Sequence, residues 1–139
     1  MAFPLGNFTL IGAFDPDDIS RQLGLTPSLC NRIGSINPAS GEPRTCATWT
    51  LFVDEEDGGD VSDQVIKLLV KLEGNAQTVT GLSERFTAYI QVYASLHECH
   101  SGFFLNAGLL KDLADLNVDL ECSYIREDQL GDSGETNAD

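Results

Sequence analysis

The sequence predicts a domain of the α+β class, with a mostly antiparallel sheet and helices packed on one of its faces. Several stretches alternate apolar and polar residues with a period of two, which is typical of strands in such sheets. Other segments repeat apolar residues with the spacing of amphipathic helices. With 139 residues, 42% of them hydrophobic, the chain is long enough to bury one core as a single domain.

The residue pattern of Asn7–Pro27 predicts a strand that runs directly into a helix. The strand is apolar on both faces, which predicts a central position in the sheet. Asp15 is placed to accept a backbone N–H at the helix start. Pro16 follows at the first helical position, where the backbone N–H that proline lacks would have no partner within the helix. Gly24 ends the helix.

A segment rich in Asn, Ser, Gly and Pro follows, and we expect an irregular loop over residues 26–46. Residues 47–53 alternate as a second strand, and its Trp49 is expected to anchor the core. An acidic turn over 54–60 leads to a helix from Val61 to about Glu73, with Asp60 as its cap.

Phe86–Leu96 shows the clearest alternation of the chain, and a short connection through Gly81 and Leu82 precedes it. One face of this strand is apolar, whereas the other carries Tyr89 and Tyr93. That second face is predicted to be a contact surface or to lie beneath a helix.

The HECHSG sequence at 97–102 is expected to be a tight connection to a short strand at Phe103–Leu105, so that the two strands form a hairpin. Asn106 and Asn117 bound a further predicted helix. The last strand is expected to run from Val118 to Ile125, with Cys122 and Tyr124 pointing inward.

The predicted hairpin, helix and last strand together resemble half of a ferredoxin-like unit. We therefore expect one ferredoxin-like-related domain over residues 1–126. Residues 127–139 are acidic and nearly free of apolar side chains, which predicts a disordered tail.

The charge of the chain favours a basic partner. It has 22 acidic and 8 basic side chains, for a net charge of −14 and a pI near 4.2. A field of this sign repels phosphate backbones and anionic lipid, so direct binding of nucleic acid or membrane is not expected. The N-terminus lacks a signal-peptide pattern, which predicts a cytoplasmic protein with four reduced cysteines.

Several segments together resemble one protein family. They are the opening FTLIGAFDPDDISRQLGLTP, Arg32-Ile33-Gly34, Arg44 before Trp49, VIKLLVKL and LLKDLADLNVDLECSYI. This set resembles the bacterial domain-of-unknown-function family numbered 4279. The resemblance implies a small bacterial or phage-related cytosolic protein without an established activity, and it draws attention to the region from Arg32 to Trp49.

Residues 97–100 form one cluster of side chains of the types that bind metals. A zinc site needs about four ligands, usually as two spaced pairs, whereas His97, Cys99 and His100, with Glu98 between them, form one tight cluster. They remain a weak alternative to a polar turn. No phosphate-binding loop or nucleophile with an orienting base is evident, so we expect no catalytic residue and no cofactor.

We therefore expect a non-catalytic acidic interaction domain, of the inhibitor or immunity-protein type, that binds and blocks a basic partner protein. Tyr89 and Tyr93 are the candidates for the apolar centre of the interface. Asp119 and Glu121 would flank them if the last strand pairs nearby.

Two other classes stay open. A small-ligand-binding or regulatory module would use Arg32, Arg44 and Trp49 around a pocket. An enzyme of unrecognised type is the third class. The partner's identity and the oligomeric state are left undetermined by the sequence.

Overall fold

The computed structural model describes residues 5–53 and 59–124, which form one five-stranded sheet and five helices. The strands are β1 (Asn7–Gly12), β2 (Leu29–Asn31), β3 (Ala47–Phe52), β4 (Thr87–Ala94) and β5 (Asp119–Tyr124). The helices are α1 (Pro16–Leu23), α2 (Val61–Leu72), α3 (Ala76–Arg85), α4 (Leu96–Ser101) and α5 (Ala107–Leu116). Most of the predicted acidic turn and the whole predicted tail lie outside the described residues.

The sheet has the order β2-β3-β1-β4-β5 and is mixed. β1 pairs antiparallel with both β3 and β4, and β2 pairs antiparallel with β3. β5 joins the other side of β4 in the parallel direction. The predicted α+β class, with a mostly antiparallel sheet and a central first strand, is confirmed.

The core lies between one face of the sheet and the helices. Its strand residues alternate along each strand and face the apolar sides of the helices. Trp49 is fully buried in it, as predicted, and makes an edge-on contact with Phe8 at 6.3 Å between ring centroids. The largest fully buried side chains are Trp49, Phe8, Leu10, Ile19, Leu68, Leu72, Leu82 and Ile90.

The predicted strand-to-helix unit is present in detail. Asp15 Oδ1 accepts the N–H of Asp17 at 3.0 Å, and Gly24 adopts the left-handed conformation with φ 67° that ends α1. α1 packs over β3, where the indole N–H of Trp49 donates to Ser20 Oγ at 3.0 Å. The only tryptophan thus fixes the first helix to the sheet.

The segment over 26–46 is more regular than predicted. It contains β2, and a single bridge between Ile36 and Pro43 folds the rest into a narrow turn. Gly34 N–H donates to Arg44 O, and Arg44 N–H donates to Ser35 O, each at 2.8 Å. These backbone bonds order a segment whose composition alone indicates an irregular loop.

The predicted connection through Gly81 and Leu82 is wrong, because these residues lie inside α3. Thr, Val and Gly lower the helix propensity of this segment. Packing decides the outcome: Val79 and Leu82 are buried, and the hydroxyl oxygens of Thr80 and Ser83 lie 3.3 Å and 3.0 Å from carbonyl oxygens in the last turn of α5. Those carbonyls have no partner within their own helix.

The predicted hairpin is also wrong. HECHSG lies almost wholly within α4, and Phe103–Leu105 is not a strand. The half ferredoxin-like unit expected here is instead a parallel connection from β4 to β5 through α4 and α5. The sequence does contain a signal for the start of α4, because Ser95 and Glu98 form an S-x-x-E capping box.

The inward positions of β5 are only partly as predicted. Val118 is buried and Leu120 is half-buried, but Cys122 and Tyr124 are exposed. β5 is one of the two edge strands, and its beginning is better covered than its end. The predicted inward placement of Cys122 in the core is therefore wrong, although it lies on the expected face.

Candidate functional site

Only one of the two sheet faces is covered by the described helices. The core cluster draws on alternate strand residues of that face, such as Phe8, Trp49 and Ile90. Ile11 and Phe52 have the opposite orientation and do not pack against this cluster. We call the second surface the open face. It comprises Asn7, Thr9, Ile11, Leu29, Asn31, Thr48, Thr50, Phe52, Thr87, Tyr89, Gln91, Tyr93, Asp119, Glu121 and Ser123.

The strand register aligns the predicted partner-binding residues on the open face. One row crosses all five strands and consists of Leu29, Thr50, Thr9, Tyr89 and Asp119. Two residues further along, Gln91 lies beside Glu121, and Tyr93 follows on the same face. The parallel pairing of β4 with β5 therefore brings Tyr89, Tyr93, Asp119 and Glu121 together along one edge.

Tyr93 interacts electrostatically with two neighbours on this edge, Glu121 and Tyr89. Partial burial raises the pKa of Tyr93 above its ordinary value, and the nearby negative charge of Glu121 and the neighbouring Tyr89 raise it further. Both tyrosines are half-buried, whereas Asp119 and Glu121 are exposed. The edge thus presents aromatic surface next to two solvated negative charges.

The middle of the open face is polar, and its Asn7, Thr9 and Thr50 are hydrogen-bonded and buried among their neighbours. Thr9 Oγ1 donates to Asn7 Oδ1 at 2.7 Å, which leaves the Thr50 hydroxyl to donate to Thr9 Oγ1 at 3.1 Å. Leu29, on the opposite edge strand, is 52% exposed. None of the residues that form the open face is a lysine, arginine or histidine.

Arg32 and Arg44 make local polar contacts at the surface, whereas Trp49 is buried in the core. Trp49 has no exposed surface, because it lies on the helix-covered face of β3. Arg32 donates to the carboxylates of Asp15 and Asp17, each at 2.9 Å, and these partners raise its pKa. Arg44 donates to Ser35 Oγ and Ile36 O. The two arginines therefore secure the 32–44 segment and the start of α1.

His97, Cys99 and His100 are all exposed on α4. Consecutive helical positions are separated by about 100°, so Cys99 points away from the side shared by the two histidines. His97 Nε2 lies 3.2 Å from Ser101 Oγ within the same helix. Among residues 5–53 and 59–124, no group of three ligand-type side chains is arranged to hold a metal ion.

Glu98 is a structural residue that sequence reasoning missed. Its side chain is only 7% exposed, and one oxygen accepts the N–H of Ser95 while the other accepts the N–H of Val61, both at 2.9 Å. Val61 is the first residue of α2. One carboxylate therefore caps two helices, where the positive ends of their dipoles stabilise it.

The sequence comparison gives a family for this fold. The family described as Domain of unknown function (DUF4279) matches residues 6–126. The chain belongs to this family. Its match spans all the strands and helices of the domain and ends just after β5. No curated protein and no solved structure matches the chain.

The helices of this DUF4279 domain are short. Over the described residues, none is both long enough and apolar enough to cross a bilayer.

Proposed function

We propose that this domain is a non-catalytic binding module that holds a basic protein partner against its open face and blocks it, as an inhibitor or immunity-type protein does. The observation that carries the proposal is the arrangement on β4 and β5. Tyr89 and Tyr93 lie beside Asp119 and Glu121 on a face that the described helices leave uncovered.

The two residue types would contribute in different ways. Exposed carboxylates add little affinity through individual ion pairs, but a field of one sign accelerates encounter with a basic partner. Affinity needs an apolar centre, and tyrosine is enriched among residues that dominate binding energy. The absence of a cation from the open-face residues supports a partner of positive charge.

The first test is affinity capture from the organism that encodes the chain, with the partner identified by mass. The wild-type chain and Tyr89→Ala and Tyr93→Ala variants are compared in parallel. Tyr124→Ala is the matched control, because Tyr124 is 72% exposed and lies on the other face of the sheet. We expect both open-face variants to lose the partner and the control to retain it.

The second test measures association rates with the captured partner at low and high salt. Reversal of both Asp119 and Glu121 to Lys should slow association several-fold at low salt and little at high salt, because salt screens the field. The control reverses Glu42 and Glu84, which are exposed and outside the open face. Both double variants change the net charge equally.

Two results would contradict the proposal. Equal slowing by both double variants would assign the effect to overall charge and leave the open face without a special role. An association rate that changes with neither salt nor any of these substitutions would show that the acidic surface takes no part in binding.

A further inference from the structure

A groove lies in the helical layer, on the side of the domain opposite the open face. It has a volume of about 500 Å³ and runs between α2 and α5, with the start of α3 at one end. The leucines along its base are Leu69, Leu72, Leu109 and Leu116. The proposed function makes no use of this surface.

The two sides of the groove differ in polarity. The α2 side is an apolar wall formed by Ile66 and Val70, which are 42% and 60% exposed. These side chains are one helical turn apart and form a continuous stripe. Exposed aliphatic side chains next to a concave base are typical of an interaction site.

The α5 side is an acidic wall formed by Asp112 and Asp115, and Glu73 closes one end. Lys111 donates to Asp115 at 2.8 Å and offsets part of this charge. Lys67 and Lys71 lie on the other flank of α2, since helical positions advance by about 100° per residue. The rim of the groove therefore keeps a negative balance.

The shape and charge favour one kind of occupant. A small ligand usually has about 70–90% of its surface buried, which a groove with such exposed walls does not provide. Two copies joined groove to groove would bring their carboxylates together. Residues 127–139 of the chain contain five acidic residues and no basic one, so the acidic rim would repel them.

We propose that the groove between α2 and α5 docks an amphipathic helix of a partner protein, with an apolar stripe against Ile66 and Val70 and a row of Lys or Arg beside Asp112 and Asp115. Recognition of a helix in a groove uses apolar anchors at positions i, i+3, i+4 and i+7. A basic flank would meet the acidic wall along the same length. This inference does not depend on the open face.

The test uses two synthetic peptides of about 18 residues, or five helical turns, with the same content of Leu, Lys and Ala. One places its leucines at helical spacing and its lysines along one flank, and the other alternates leucine and lysine. Each is titrated into the isotope-labelled full-length chain and followed by amide NMR shifts. We expect the helical peptide to shift residues 66–74 and 109–116 and to bind at least about tenfold tighter.

Substitutions then locate the site. Val70→Asp and Asp112→Lys should each weaken the helical peptide about tenfold or more. The matched controls are Leu110→Asp, an apolar residue 49% exposed on the other flank of α5, and Glu84→Lys on α3. Both controls should leave its affinity within about twofold, because exposed positions away from the contact contribute little.

Three outcomes would overturn the inference. Equal binding of both peptides would indicate only general attraction to an acidic chain. Shifts confined to β4 and β5 would place the helix on the open face. Tighter binding of hexylammonium than of the helical peptide would make the groove a small-ligand site. Failure of the Tyr89 and Tyr93 variants to affect the captured partner would count against the proposed function alone.

Discussion

At the residue scale, the least expected finding is the double role of Glu98. A buried carboxylate without partners has a high cost, but each oxygen of Glu98 accepts a backbone N–H group at the start of a helix, from Val61 of α2 and from Ser95, the N-cap of α4. The side chain therefore joins α2, α4 and the end of β4. In the sequence it sits between histidine and cysteine, where its type suggests a metal ligand.

We expect Glu98→Ala to lower the free energy of unfolding by about 1–3 kcal/mol, since it leaves two buried N–H groups without acceptors. Chemical denaturation measures this loss. Glu84→Ala, which removes an exposed glutamate of α3, should change stability by less than about 0.5 kcal/mol. Equal stability of the two variants would show that the Glu98 bonds are unimportant.

The residues of the candidate site were predictable only in part. Alternation placed Tyr89 and Tyr93 on one strand face, and Asp119 and Glu121 on one face of the last strand. Their proximity depended on which strands pair, a long-range fact that local pattern does not contain. Glu98 shows the same limit, because its bond to Val61 joins residues far apart in the chain.

At the element scale, the cap residues were the most reliable signals. Asp15, Asp60 and Asn106 cap their helices as predicted, and Asn117 ends α5 in the left-handed conformation. Each of these caps forms its hydrogen bonds with residues a few positions away in the chain, so the local sequence is enough to predict it. The errors fell where packing overrides propensity, at α3, or where a capping box was read as a turn, at α4.

Two glycines give a matched test of this packing. A Cβ on Gly12 would lie 2.5 Å from Cδ1 of Phe86, a ring held against Phe14, whereas a Cβ on Gly81 within α3 meets nothing within 4 Å. We expect Gly12→Ala to destabilise the domain by about 1–3 kcal/mol. Gly81→Ala should stabilise it by up to about 1 kcal/mol, because alanine favours the helix.

Thermal and chemical unfolding of both glycine variants provides the measurement. If Gly81→Ala destabilises the domain, the helix at Ala76–Arg85 is in doubt. If Gly12→Ala is neutral, the close approach of β1 to Phe86 is in doubt.

At the scale of the whole molecule, the dominant property is charge. A net charge of −14 on 139 residues produces repulsion within the folded chain, which opposes the compact state. The known ion pairs on the surface, such as Arg32 with Asp15 and Lys111 with Asp115, neutralise little of it. The fold therefore depends mainly on its buried apolar layer.

We expect the melting temperature to rise by a few degrees between about 10 mM and about 300 mM NaCl, because salt shortens the range of the repulsion. The variant with Glu42 and Glu84 reversed to Lys should gain less. Each reversal replaces one negative charge by one positive charge, so the two together change the net charge from −14 to −10. A flat or falling melting temperature would show that self-repulsion is not significant.

The position of β1 has a consequence for how the chain is made. β1 is the first of these five strands to be synthesised and the middle strand of the finished sheet. One of its edges gains a partner when β3 leaves the ribosome, but the other stays open until β4 has been translated. An unpaired strand edge invites contact with other chains, so the nascent protein passes through a stage in which its central strand is unprotected.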